Sequence, residues 1–189
     1  MEKAFLLLEK YGSKDYIGEE VSQKQHAVQT ALQAETYCED NDILIKKDLV
    51  LAALLHDIGH LLVFENKNLA KIENFGVKNH ELSGSNYLKN LGYSDLVCKL
   101  VESHVKTKRY LASTEKDYFN NLSEASKKTF FYQGGYMTLY EIIKFEKDPL
   151  FKYYINLREW DDNAKLSNPE LLRRIDDLNL IDYYKSLII

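Results

Sequence analysis

Seven consecutive apolar residues, "LVLAALL" from Leu49 to Leu55, most constrain how this chain can fold, because His56 and Asp57 follow them directly. A run with no polar side and no glycine or proline is typical of an element buried on all sides. We expect a central helix through "LVLAALLHDIGHLL", with Asp48 as its N-cap. Asp57, just after this apolar run, would be costly to bury without a cation or another partner.

The rest of the sequence indicates an all-α fold. The chain has 189 residues, with 8 glycines and 2 prolines, and no long stretch alternates polar and apolar residues. This length suits one hydrophobic core, so we predict a single domain over residues 1–189.

Helix boundaries can be predicted at several positions. One helix is expected from about Val21 to Cys38 and another from about Leu150 to Asp162. The predicted N-caps or helix starts are Asn79, Ser94, Ser123, Thr138 with Glu141 as a capping box, and Asn168, whose helix we expect to be the last. The predicted ends are Gly92, Gly134–Gly135 and Asp148. The polar stretch from Glu65 to Lys78 is predicted to be a long irregular loop, a feature that is often functional.

Charge and hydropathy argue against two classes of partner. The net charge is −4 with both signs interspersed, so we expect no nucleic-acid partner. No apolar run approaches the roughly 18 residues that a bilayer requires, and we expect no membrane association. Cys38 and Cys98 stand alone without CxxC spacing, which is consistent with the cytoplasm and provides no zinc–thiolate site. Protein partners and oligomeric state stay open.

Five histidines are the candidates for metal chemistry. The His56–Asp57 pair offers an imidazole and a carboxylate, both good ligands for divalent metals. Taken singly the others are ambiguous: His26 lies off the apolar side of its helix and reads as a surface residue. His80 fits a polar first turn, and His104 fits the edge of the core.

Together these residues resemble a known ligand series. His26, His56–Asp57, His80, His104 and Asp161 are similar to the metal ligands of the HD-domain superfamily, an all-α helical bundle. Five further blocks resemble the HD-domain mixed-valence di-iron oxygenases of organophosphonate catabolism: "DYIGE" (15–19), "HVKTKRYL" (104–111), "NLSEASKKT" (121–129), "YQGG" (132–135) and "LREWD" (157–161).

This resemblance implies two iron ions in an Fe(II)/Fe(III) pair. One iron would be held by His26, His56, Asp57 and Asp161, and the second by Asp57, His80 and His104. The residues alone do not choose Asp161 over Asp162. A nitrogen and oxygen ligand set suits iron or manganese, and zinc stays open.

The resemblance also implies a substrate pocket. His60, Lys108, Ser126 and Arg158 would donate to a phosphonate, with Gln133 as a weaker candidate, and Glu19 would pair with a substrate ammonium. Tyr16 would occupy the iron site until substrate displaces it, and His60, Lys108 and Tyr16 are the expected catalytic residues.

The implied reaction is oxidative cleavage of a C–P bond with O2. The expected substrate is a 1-hydroxyphosphonate, in first place 2-amino-1-hydroxyethylphosphonate, which would give glycine and phosphate. Two alternatives stay open: a metal-dependent phosphohydrolase acting on a nucleotide or phosphate ester, and a non-catalytic metal-stabilised binding module. Tyr136, where proline is expected, and the 65–78 loop depart from the family pattern, so the substrate's substituent is the least determined feature.

Overall fold

The computed structural model describes residues 1–16, 18–70 and 76–187. Within these ranges the regular structure is helical, and the one β-type pairing is an isolated bridge between Asp15 and Ser22. The all-α prediction is therefore confirmed. The α-helices are α1 (Glu2–Tyr11), α2 (Gln23–Asp40), α3 (Lys46–Leu55), α4 (Ile58–Leu61), α5 (His80–Asn90), α6 (Asp95–Thr114), α7 (Tyr118–Asn121), α8 (Glu124–Phe130), α9 (Leu139–Glu146), α10 (Phe151–Asn163), α11 (Pro169–Asp177) and α12 (Leu180–Ser186); a 3₁₀ turn, Leu62–Phe64, follows α4.

Helix α3 is the central element of the core. It packs against α2, α6 and α10, and every residue from Leu49 to Leu55 is buried. This explains why its sequence has no polar side: neighbouring helices cover it all around. The prediction of a buried central helix is confirmed.

Several predicted helix caps are confirmed. The side chains of Ser94, Ser123 and Asn168 each accept a hydrogen bond from a backbone N–H in the first turn of the helix that follows. Thr138 and Glu141 form the expected capping box. Gly92 follows α5 with a φ of 84°, as expected of a glycine that ends a helix.

Other boundary predictions were wrong. Asp48 does not cap α3: it lies in the first turn, and its carboxylate accepts a 2.6 Å hydrogen bond from the Ser94 hydroxyl. The first long helix starts later than predicted, at Gln23, behind a capping box made by Ser22. The helix that Asn168 opens is not the last, because α12 follows it.

The continuous helix predicted through "LVLAALLHDIGHLL" is interrupted at its charged end. α3 ends at Leu55, Asp57 has φ −100° and ψ 11°, and α4 begins at Ile58. In an uninterrupted helix adjacent residues project about 100° apart. The break removes that constraint, so His56 and Asp57 can point toward a common position.

Gly59 in "HDIGH" allows α4 to pack closely on the start of α5. A Cβ atom at Gly59 would lie 2.0 Å from the carbonyl oxygen of His80. Gly84 lies opposite, where a Cβ would be 3.1 Å from the Gly59 nitrogen. A glycine is required here because the backbones themselves are in contact, and this contact brings His80 beside Asp57.

The predicted 65–78 loop is irregular at residues 65–70 and 76–78, whereas residues 71–75 lie outside the described residues, as does Ile17 of "DYIGE". Among the helices that the structure describes, none is both long enough and apolar enough to cross a bilayer.

Candidate metal centre

Five structural elements bring the six predicted metal ligands to one place. α2 contributes one ligand, the break between α3 and α4 two, and α5, α6 and α10 one each. All six side chains are buried: His26, His56, Asp57, His80, His104 and Asp161. Five of them form two groups, each compact enough to hold a metal ion, that share Asp57, and Asp161 lies beside the first group.

The first cluster contains His26, His56, Asp57 and Asp161. The Nε2 atoms of His26 and His56 are 3.1 Å apart. Asp57 Oδ2 lies 3.8 Å from His26 Nε2 and 3.4 Å from His56 Nε2. Asp161 Oδ1 lies 3.4 Å and 3.8 Å from the same two nitrogens. Both carboxylate oxygens therefore approach the same two histidine nitrogens, and the three residues His26, His56 and Asp57 form a group compact enough to hold a metal ion.

The second cluster uses the other oxygen of Asp57. Asp57 Oδ1 lies 3.3 Å from His80 Nε2 and 3.3 Å from His104 Nε2, and these nitrogens are 2.9 Å apart. The two carboxylate oxygens thus face different histidine pairs. This is the arrangement that a carboxylate bridging two ions requires.

Hydrogen bonds to backbone carbonyl groups determine which nitrogen of each histidine ring faces the clusters as an acceptor. The Nδ1 atoms of His26, His56 and His104 lie 3.0, 2.8 and 2.7 Å from the carbonyl oxygens of Ala164, Ala53 and Val101. A carbonyl only accepts, so each Nδ1 carries the proton and, in a neutral ring, each Nε2 presents a lone pair. The lone pairs of His26 and His56 converge, which is unfavourable unless a cation lies between them.

Asp161 shows the same need for a cation. Its Oδ2 accepts from Arg158 Nη1 at 2.8 Å, whereas its buried Oδ1 has no hydrogen-bond partner. Asp162, the alternative that the sequence left open, points elsewhere and accepts hydrogen bonds from Arg158 and Tyr118. The geometry therefore favours Asp161 over Asp162 as the ligand.

The spacing of these atoms fits bound metal. Two ligand atoms about 2.1 Å from one ion lie about 3.0 Å apart at a right angle and about 3.4 Å apart at a tetrahedral angle. The distances between the histidine nitrogens, and from these nitrogens to the carboxylate oxygens, run from 2.9 to 3.8 Å. Nitrogen and oxygen donors without thiolate suit iron, manganese or zinc. The clusters therefore have the composition and dimensions of a two-metal site.

The electrostatics of the clusters favour positive charge. Burial alone raises the pKa of Asp57, but the His56 ring, together with the neighbouring His104 and His80 rings, holds it well below its usual value. Burial likewise lowers the pKa of His56, but Asp57 and Asp161 outweigh it and raise that pKa to about 9. The buried carboxylates thus attract a cation, which can be a proton or a metal ion.

A small cavity of about 60 Å³ opens onto the clusters. Asp57, His80, His104 and Asp161 line one part of it. All the residues predicted for substrate binding or catalysis also line it: Tyr16, Glu19, His60, Lys108, Ser126, Gln133 and Arg158. The structure brings these residues together, and their individual roles stay predictions.

His60 is held with a defined hydrogen-bonding pattern. Its ring stacks on His80 at 3.8 Å, and its Nδ1 accepts from the Val77 backbone N–H at 3.1 Å. Burial and the neighbouring His80 keep its pKa well below the usual value, so the ring is neutral. Nε2 therefore carries the single ring proton and is the atom that can donate to a ligand.

Lys108 is a buried cation rather than a surface charge. Its Nζ donates to Thr129 Oγ1 at 3.3 Å, and burial, together with the nearby Arg158 charge, lowers its pKa to about 7. Such a group carries its full charge most readily when an anion lies beside it. Thr129 also lines the cavity, and sequence reasoning did not identify it.

Tyr16 lies against the first cluster. Its ring stacks on His26 with centroids 4.0 Å apart. Burial and the negative charges of Asp57 and Asp161 raise its pKa well above the usual value, so its phenol stays protonated. A phenol in this position can meet a ligand bound at the first cluster.

Sequence reasoning from single residues placed His26 on the surface, and this was wrong: the side chain is 0 % exposed. It also missed Lys165, whose Nζ lies 3.9 Å from Glu19 Oε1 at the edge of the cavity. A charged residue between two helices carries no periodic signal, so only the tertiary structure could reveal this contact.

Comparison with known proteins agrees with this geometry. The HD-domain family matches residues 24–151. An uncharacterized protein of Acanthamoeba polyphaga mimivirus is 40% identical over 183 residues, which cover 97% of this chain and 77% of the relative. Hydroxymethylphosphonate dioxygenase of Gimesia maris is 38% identical over 164 residues, with 86% and 76% coverage.

A third relative is the glycine-betaine-forming [1-hydroxy-2-(trimethylamino)ethyl]phosphonate dioxygenase of Leisingera caerulea. It is 33% identical over 164 residues, which cover 87% of this chain and 79% of the relative. Two of these relatives are thus named as phosphonate dioxygenases, and the family match spans more than half of the chain. The chain therefore belongs to the HD-domain family and, within it, is similar to the phosphonate dioxygenases.

Proposed function

We propose that this protein is a di-iron oxygenase that cleaves the C–P bond of a 1-hydroxyphosphonate with O2, using an Fe(II)/Fe(III) pair. The observation that carries this proposal is the division of the Asp57 oxygens between two histidine pairs, 3.4–3.8 Å from one pair and 3.3 Å from the other. The similarity to two phosphonate dioxygenases supports the reaction class.

The residues of the two clusters would hold the irons. The first iron would be bound by His26, His56, Asp57 and Asp161, and the second by Asp57, His80 and His104. When bound, the iron pair supplies O2 activation and open positions for the hydroxyl and one phosphonate oxygen of the substrate. Backbone carbonyls orient three of these histidines, which keeps their Nε2 lone pairs aimed at the ions.

The cavity residues would bind and orient the phosphonate. Lys108 and Arg158 are buried cations, and either can offset the charge of a phosphonate dianion. The His60 Nε2–H and the Ser126 hydroxyl add neutral donors, and Gln133 adds an amide whose buried Oε1 has no hydrogen-bond partner. Excluding water from so small a cavity strengthens each of these interactions.

Tyr16 would occupy the first iron site while no substrate is bound. Its position on the His26 ring supports a role in which the phenol fills the open coordination position until substrate binds. Arrival of the phosphonate would then displace the tyrosine from this position, so that the site would be open to O2 only when substrate is present.

The reaction balances with O2 as the sole oxidant. 2-Amino-1-hydroxyethylphosphonate and one O2 give glycine and phosphate, and hydroxymethylphosphonate and one O2 give formate and phosphate. The sequence predicts the amino compound, and one relative is named for hydroxymethylphosphonate, so both are substrates for the first experiment.

The test measures O2 consumption and phosphate release together from the iron-loaded protein. We expect equal amounts of each, no phosphate under nitrogen, and no turnover when zinc replaces iron. Iron analysis should give two ions per chain, and EPR should show a spin-coupled Fe(II)/Fe(III) pair. Phosphate released from nucleotides or phosphate esters under nitrogen would refute the oxygenase and establish a phosphohydrolase. Tight phosphonate binding without any product would establish a binding module.

A further inference from the structure

Lys165 places a positive charge behind Glu19, which among the described residues is the one cavity carboxylate outside the metal clusters. Its Nζ lies 3.9 Å from Glu19 Oε1 and 3.8 Å from Asp162 Oδ1. The side chains of Lys165 and Glu19 are only 14% and 15% exposed, so water screens this pair weakly. Glu19 lines the cavity, whereas Lys165 lies outside its lining.

The backbone around Lys165 is fixed on both sides. Ala164 accepts a hydrogen bond from the His26 ring at 3.0 Å. Leu166 exchanges two hydrogen bonds with the Gln29 side-chain amide, at 3.1 and 3.2 Å. These contacts hold the backbone on either side of Lys165 against α2. The chain segment that carries the ammonium group therefore has a fixed position beside the pocket.

Asp162, the other carboxylate near Lys165, has further hydrogen-bond donors of its own. Arg158 donates to both oxygens of Asp162, one of these bonds being 2.9 Å long, and Tyr118 donates to the same carboxylate. Arg158 also pairs with Asp161, so Lys165 contributes to the charge balance of Asp162 as well. Among the ion pairs of the described residues, however, Lys165 is the one cation beside Glu19, so it is the residue that offsets the Glu19 charge.

We propose that Lys165 determines the substrate's substituent by neutralising Glu19, so that the pocket favours a 1-hydroxyphosphonate with an uncharged substituent over one with an ammonium group. This inference rests on the proposed function, because it assumes that the phosphonate binds at Lys108 and Arg158. A cationic substituent near Glu19 would be repelled by the lysine behind it, and the net attraction would be small. The predicted amino substrate would accordingly be the poorer one.

The test uses two phosphonates of the same shape and different charge. 2-Amino-1-hydroxyethylphosphonate carries an ammonium where 1-hydroxypropylphosphonate carries a methyl group. Their kcat/KM values are measured by phosphate release, and their dissociation constants by calorimetry of the iron-loaded protein without O2. The wild-type protein should favour the methyl compound. Lys165→Met should shift the ratio of both constants toward the ammonium compound by about tenfold.

Matched variants isolate the charge. Lys165→Arg keeps the charge and should keep the wild-type ratio, and Lys165→Gln provides a second neutral variant if the methionine variant does not fold. In Glu19→Gln the lysine is unopposed, so binding of the ammonium compound should weaken further. A wild-type preference for the ammonium compound, or an unchanged ratio in both neutral variants, would overturn the inference.

The two readouts separate this inference from the proposed function. Absence of phosphate release together with the expected shift in dissociation constants would refute the oxygenase and leave the role of Lys165 standing. Phosphate release with an unchanged ratio would support the oxygenase and refute the role of Lys165.

Discussion

Asp57→Ala tests the central feature of the site, because a bridging carboxylate cannot be removed without affecting both ions. The substitution takes one ligand of four from the first cluster and one of three from the second. It also removes the one negative charge of the second cluster. We expect Asp57→Ala to retain less than one iron per chain, whereas the wild-type protein should retain two.

The loss should also appear in thermal stability. An ion present at 100 times its dissociation constant stabilises the folded state by about 2.7 kcal/mol. For a chain of this length 1 kcal/mol corresponds to about 2–4 °C in Tm. Two ions should therefore raise the Tm of the wild-type protein by about 10–20 °C, and that of Asp57→Ala by much less.

Single-cluster variants provide the controls. Asp161→Ala removes a ligand from the first cluster alone, and His104→Ala removes one from the second alone. Each should keep about one iron and about half of the rise in Tm. Alanine at position 57 eliminates a buried charge, so the metal-free variant should keep its helical circular dichroism. Two tightly bound irons per chain in Asp57→Ala would refute the bridging assignment.

Substitutions at three other positions test further parts of the structure. Glu81 Oε2 is buried without a hydrogen-bond partner, 3.7 Å from His80 Nδ1, so it can help to orient the His80 ring. In an iron titration, Glu81→Gln should weaken iron binding at the second cluster about 10–100-fold and leave the first cluster unchanged. The pKa of Lys108 is lowered to about 7. The value of kcat/KM should therefore fall as the pH rises through 7, because the lysine loses its charge, and Lys108→Arg should abolish this fall. Gly59→Ala forces a Cβ to within 2.0 Å of the His80 carbonyl oxygen; chemical denaturation should show a loss of about 2–4 kcal/mol, and a loss below 0.5 kcal/mol would contradict the packing.

Local sequence patterns were sufficient for the helical fold and for most helix starts. Caps such as Ser94 and Thr138 act on backbone groups three residues away, so their chemistry is visible in a short stretch of sequence. The buried α3 was predictable for the same reason. The break after Leu55 was not, because it depends on contacts that distant helices make with the residues that follow.

Selection among the candidate ligands needed tertiary structure. Asp161 and Asp162 are adjacent on α10, and both accept hydrogen bonds from Arg158, so their local environments differ little. They are distinguished by long-range contacts: His26 and His56 approach Asp161, whereas Tyr118 donates to Asp162. The family resemblance chose the same residue, but its physical reason lies in how α10 packs on α2 and α3.

His26 shows why a prediction of solvent exposure that is based on one helix face can fail. Helix α2 packs against α3 on one side, and the chain after α10 covers another side through the Ala164 carbonyl. A helix covered on two sides has no single apolar stripe, so a polar residue off that stripe can still be buried. The segment that buries His26 also carries Lys165, so the misjudged burial of His26 and the missed contact of Lys165 share one structural cause. Under the proposed function, packing of this short irregular segment on α2 would orient His26 toward the first metal and place Lys165 beside the substrate's substituent, so one piece of chain would serve both metal binding and substrate selection.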